Sequence, residues 1–189
     1  MTRSLAVVLC AFSLLANPVL AQSTPETPQE DPQTQAQPEP DMTMQRLAQI
    51  VFAIDEEAVA SGSSIQFTIE DIPVLIVADP VADRMRAMVP IRSAQELSSD
   101  DMMRMMQSNF DAALDARYAV AQGRLWGVFI HPLSPLRKDQ LLSGIAQTVS
   151  IARTYGTVYS GGAVTYGGGD SNQIYRNLFE ELQKKGEEI

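Results

Sequence analysis

His131 is the only histidine and Cys10 the only cysteine among 189 residues. The side chains that most often carry acid–base, nucleophilic or metal chemistry are therefore scarce. A zinc site takes several nitrogen or sulfur ligands, which one imidazole and one thiol do not supply; carboxylates are the remaining metal ligands. His131 precedes Pro132 at the end of an apolar run and reads as structural rather than as a general base, which needs a nucleophile within hydrogen-bond reach. No serine stands in a G-x-S-x-G elbow. Gly162 and Gly167 have the separation of a phosphate-binding loop, but Gly168 and Gly169 stand where lysine and a hydroxyl residue are required. The acid pairs Glu56–Glu57 and Glu180–Glu181 are adjacent on helices read as exposed, a pattern of solvation rather than of two carboxyls flanking a substrate bond. These residues predict a protein that is not an enzyme and has no catalytic, cofactor-binding or metal-ligating site.

Binding chemistry is the better-supported alternative, and it centres on Trp126 and the methionines Met102, Met103, Met105 and Met106. Methionine fills irregular gaps in cores, and it also forms adaptable binding surfaces. The segment that holds the four methionines has two apolar stripes at helical spacing. Met103, Met106, Phe110, Ala113 and Leu114 form the larger stripe, and Met102, Met105, Ala112 and Ala116 the smaller. One sheet can cover only one stripe. The larger is assigned to the protein's own sheet, and Met102, Met105, Ala112 and Ala116 to a partner or dimer interface. Trp126 and Val128, alternating on one strand, are assigned to a surface that holds a polypeptide segment.

The positioning elements begin after a leader. Arg3, the apolar run Leu5 to Leu15 and the stretch Val19-Leu20-Ala21 have the order of a cleavable secretory signal spanning residues 1–21, with Gln22 as the mature terminus. The apolar run is too short to span a bilayer, so a periplasmic or secreted product without stable membrane insertion is expected. Cleavage removes the only cysteine, and the mature chain must rely on an ordinary core. Fourteen basic against 23 acidic residues give a formal charge of −9, which argues against nucleic acid as a partner. Residues 22–41 hold five prolines and no large apolar side chain, and read as a disordered linker rich in Pro, Gln and Glu.

From residue 42 to 160 the apolar residues become periodic, as in a single domain. Helices are expected at 43–60, from Ser98–Asp100 to Ala116, and from Ser134 as cap with Pro135 at the first helical position to Tyr155. Strands are expected at 65–69, 73–78, 84–91, 118–121 and 124–130, with 73–78 apolar on both faces and so buried on two sides. Turns fall at Glu70–Pro73, Asp79–Asp83 and Gln122-Gly123. The result is an α+β domain with an antiparallel sheet of about five strands and three helices, in the order α-β-β-β-α-β-β-α. Residues 161–189 read as a Gly-rich hinge and a short polar helix with Ile174, Leu178 and Leu182 on one line.

The stretch MMQSNFDAALDARYAVAQGRLWGVFIHPLSPLRKDQLLSGIAQTV, with Asn109 near a helix end, a hairpin turning at Gly123 and a Leu-rich last helix, resembles the second half of class I type III secretion chaperones and the related YbjN family. By this resemblance Asn109, Tyr118, Gly123, Leu125, Phe129, Leu133, Leu136 and Leu142 are fold-marking positions. It implies a homodimeric, chaperone-like module that binds a polypeptide client or envelope protein, without a cofactor and, given the leader, in an exported form. A small periplasmic hydrolase with dispersed carboxylates and a structural envelope protein are the alternatives.

Overall fold

The computed structural model describes residues 39–111, 114–155 and 170–186. The leader, residues 22–38 of the linker, Ala112 and Ala113, residues 156–169 and residues 187–189 lie outside them.

Helix α1 spans Met44–Ile54 and opens where the Thr43 hydroxyl accepts from the Arg46 amide at 3.1 Å, satisfying one of the free amides of the first turn. Leu47, Ile50, Val51 and Ile54 form its buried face. It stops six residues earlier than its periodicity predicts. Asp55 is extended, and its carboxylate accepts from the Glu57 and Thr68 amides at 3.0 and 2.8 Å. An aspartate that competes in this way for backbone donors turns the chain out of the helix. The next residues form an edge strand, β1 (Val59–Ser61), so Glu56 and Glu57 lie in a turn rather than on a helix.

Five further strands follow: β2 (Ser64–Ile69), β3 (Ile72–Asp79), β4 (Arg84–Ser93), β5 (Arg117–Ala121) and β6 (Arg124–Pro132). All pairings are antiparallel, in the order β1-β2-β3-β4-β6-β5. Two hairpins close on two residues with positive φ, Glu70-Asp71 at 46° and 65° and Gln122-Gly123 at 51° and 70°. This turn matches the right-handed twist of its strands. Between β4 and β5 lies α2 (Ser99–Asp111); after β6 come α3 (Lys138–Arg153) and α4 (Asp170–Gly186). The α+β class is as expected from sequence, with one strand, β1, added, and the expected C-terminal helix is α4.

The core lies between the sheet and α1, α3 and α4. Ile65, Ile76, Met85 and Val89 meet Leu142, Ile145 and Val149 there, all buried. Helix α3 comes so close that a Cβ on Gly144 would stand 2.4 Å from the Phe129 ring. The polar helix α4 is seated in the same core through Leu178 and Leu182. Residues 39–41, assigned to the linker, are held at their start: the Glu39 carboxylate accepts from the Lys138 amide at 2.7 Å and pairs with Arg46.

Ser134 does not cap α3. Its amide and hydroxyl donate to the Asp83 carboxylate at 2.7 and 2.9 Å, and its carbonyl accepts from the Met42 amide at 3.0 Å. The helix instead starts at Lys138, where Gln140 Oε1 accepts from the Arg137 amide at 3.0 Å. Asp83, at φ 50°, thereby ties the β3–β4 turn to the approach to α3. The amide and hydroxyl of Ser134, and to a lesser degree the Arg84 charge, hold its carboxyl below the ordinary carboxylate range. A pKa lower in the folded than in the unfolded chain adds stability above the unfolded value, and that stability is lost as the pH falls through the folded one. Asn tolerates positive φ as Asp does, so Asp83→Asn isolates the charge. The variant should melt below the parent at pH 7, with the gap closing as the pH falls below the ordinary carboxylate range. A gap that does not change with pH in thermal melts would contradict this origin.

Candidate functional site

Strands turn alternate side chains to opposite faces of a sheet. One set, including Val74, Ile76, Ala87 and Phe129, lies under the helices. The other set has no helix over it among the described residues. Register places Leu75 opposite Met88, Met88 opposite Val128, Pro90 opposite Trp126, and Arg86 between Val77 and Ile130. Rows of apolar side chains therefore cross the sheet. Leu75, Val77, Met88, Pro90, Trp126 and Val128 are half-buried and Ile130 is exposed. Strand β3, read as buried on two sides, is covered on one only, because no second layer of the described chain packs on this face.

Two hollows open on it. One, of about 520 Å³, is bounded by Asp55, Glu57, Pro73, Leu75, Pro90 and Trp126. The other, of about 680 Å³, is bounded by Val77, Asp79, Arg84, Arg86, Met88 and Ile130. The Trp126 indole donates to the Ala121 carbonyl at 3.1 Å, which ties the ring to the β5–β6 hairpin. Sequence reasoning selected Trp126 and Val128, and the structure brings them together on this face. It missed Met88, Arg84 and Arg86, although the alternation of β4 already put those three on one side.

Helix α2 sits beside β5 at the sheet edge rather than across the sheet. Its anchor is Asn109: the side-chain amide donates to the Tyr118 carbonyl at 3.1 Å, and its oxygen accepts from the Tyr118 amide at 2.8 Å. One side chain thus occupies part of the edge that a strand would otherwise offer to another chain. The Tyr118 hydroxyl in turn donates to the Ile151 carbonyl at 2.9 Å. Met105 completes the attachment, buried in a small cluster with Leu125, Ile91, Leu97, Tyr118 and Tyr155.

This reverses the expected assignment of the two stripes. Met103, Met106, Phe110 and Leu114, expected inside, are 70, 65, 89 and 53 % exposed. Of the stripe expected to face a partner, Met105 and Ala116 are buried and Met102 is 45 % exposed; Ala112 lies outside the described residues. Both stripes satisfy helical periodicity, which therefore does not choose between them; Asn109 and Met105 make the choice. A hollow of about 240 Å³ remains between α2 and β5, lined by Met102, Met105, Met106, Tyr118, Val120 and Leu125 among others.

The remaining candidates for chemistry are tied into the structure. His131 stacks on Phe129 with ring centres 5.9 Å apart, and its Nδ1 lies 2.7 Å from the Pro132 carbonyl. Glu181 pairs with Lys185 at 3.1 Å on the outside of α4. Among the described residues no group of three or more histidines, cysteines and acids is placed to hold a metal ion.

No known family model matches the sequence, and no curated protein matches it. The reading of the two apolar surfaces therefore rests on their geometry.

If Asn109 is what holds α2 to the sheet edge, Asn109→Ala should release it. Two lost bonds to a half-buried strand edge are worth about 1–3 kcal/mol, so local opening and trypsin cleavage at Arg104 should speed up about 5- to 100-fold. The main thermal transition should move little, since α2 lies outside the principal core. Unchanged cleavage would show that Met105 alone secures the helix.

Proposed function

We propose that this protein is an exported, non-catalytic binding module of the YbjN and type III secretion chaperone-like kind, which holds a polypeptide segment against the helix-free face of its sheet. The observation that carries this reading is the row of apolar side chains from Leu75 and Val77 through Met88 and Pro90 to Trp126 and Val128, left without a helix over it. A contiguous, half-buried apolar row with no layer over it has the character of an interaction site. Covering it is worth about 25 cal/mol per Å², and an extended segment fits a flat, grooved face better than a compact ligand does.

A homodimer belongs to the same proposal, with its contact moved to the outer stripe of α2. Phe110 is the most exposed residue of that stripe, and the hollow between α2 and β5 lies on the same helix. A protruding ring beside an apolar hollow is self-complementary, as a twofold contact requires. Export rests on the leader sequence. Among the described residues no helix is long and apolar enough to cross a membrane.

The test is suppression of aggregation, followed by light scattering of a model protein as it unfolds. The parent protein should slow aggregation at near-stoichiometric ratio, and Val128→Glu, with a melt close to the parent's, should lose most of that effect. Phe110→Glu should halve the sedimenting mass while the folded chain persists. A parent without effect, or a Val128→Glu protein that is fully active, contradicts the reading.

A further inference from the structure

The two hollows on the helix-free face carry opposite charge. At the end where Pro90 stands opposite Trp126, the charged residues that bound the hollow are Glu57 and Asp55, whose carboxylate also accepts from the Glu57 and Thr68 amides; Arg124, two residues from Trp126 on the same strand face, lies outside that lining. At the other end, where Arg86 stands opposite Ile130, the hollow is bounded by Arg84 and Arg86. Asp79 also lies there. It stands opposite Arg84 in the ladder, and its carboxylate accepts from the Val81 and Ala82 amides at 2.9 and 3.0 Å. Arg86 is exposed and, among the described residues, has no carboxylate within ion-pair distance. Trp126 and Ile130 are four residues apart on one strand, so the two ends are about 13 Å apart at roughly 3.3 Å per residue. The face is thus an apolar trough whose two hollows differ in charge, although the chain as a whole has a formal charge of −9; Arg117, opposite Val128 between them, donates to the Leu114 and Ala116 carbonyls at the sheet edge.

We infer that the trough takes one extended polypeptide segment of about five or six residues, apolar at its centre, with basic residues where it meets Asp55 and Glu57 and acidic residues where it meets Arg86. This deepens the proposed function and rests on it. A segment with charge of one sign only meets repulsion at one end. An anionic amphiphile such as a fatty acid satisfies the Arg86 end but leaves the acidic end unpartnered. The opposed charges also fix the direction in which the segment lies, which an apolar face alone does not do.

The inference is tested with the mature chain and dye-labelled synthetic peptides that share one apolar centre. Two carry lysines at one end and glutamates at the other, in either order; one carries lysines at both ends and one glutamates at both. Anisotropy gives the affinity, and the emission of Trp126, the only tryptophan, reports the location. One of the two mixed orders should bind about tenfold or more tighter than either single-sign peptide at low salt, with the difference shrinking as salt screens the charges. Arg86→Glu should abolish that preference and leave the lysine-only peptide bound at least as well; Arg86→Gln serves if the first variant melts early. Equal affinity for all four peptides overturns the inference and leaves the proposed function standing. Laurate binding as tightly as the preferred peptide, or peptide binding without a change in Trp126 emission, also overturns it. Absence of any peptide binding removes both.

Discussion

Helix α3 lies on β6 with no room for a side chain at Gly144, whose Cβ would enter the Phe129 ring, and much of the described fold is attached along this one helix. Near its start, Glu39 and Ser134 fasten the incoming chain and the β3–β4 turn. Half-way along, Gln147 Oε1 accepts from the Asp115 and Ala116 amides at 2.7 and 3.0 Å and so fixes the entry to β5. Towards its end the Ile151 carbonyl receives the Tyr118 hydroxyl, and Arg153 pairs with Glu70 of the β2–β3 turn. A larger residue at Gly144 would lift the helix from the sheet, at a cost of about 1–3 kcal/mol from overpacking, and would strain each of these attachments.

Because α1, α3 and α4 all pack on the same side of the sheet, its two faces differ in cover. The covered face supplies the core, in which each fully buried aliphatic side chain contributes about 1.5–3 kcal/mol. The opposite face has side chains of nearly the same type without that cover. Apolar residues kept in register across β3, β4 and β6 add little to a fold that does not bury them, and they raise the risk of aggregation. The proposed segment laid across them would account for their presence. Helix α2, outside the main core and held by Asn109 and Met105, has a second apolar surface of the same kind on the opposite side of its anchor.

Strand alternation and turn residues were legible in the sequence because they depend on neighbours in the chain. The Gln122-Gly123 turn and the alternation of β2 and β4 follow from such local pattern. The errors arose where a distant group decided. Asp55 ends α1 by bonding Thr68, thirteen residues on. Ser134 is drawn from a capping role by Asp83, 51 residues away. The orientation of α2 follows from a single amide facing Tyr118, although Asn109 and Tyr118 had been singled out through the family resemblance. Trp126 and Val128 were found from residue type and alternation, whereas Arg84, Arg86 and Met88 acquired meaning only when register set them beside the same trough. Polarity along that trough arises from side chains on different strands and an α1–β1 turn, so no local spacing records it.

The central claim is that the helix-free face is where this protein meets its partner, and site-specific photo-crosslinking in the producing cell tests it most directly. A photoreactive side chain would replace Val128 on that face and, in a second strain, Asp139, exposed on α3 in the helical layer. The account predicts a discrete adduct from position 128 that is lost when Arg86→Glu is added, and none from position 139. Adducts from 139 and none from 128 would place the binding surface on the helices and contradict it.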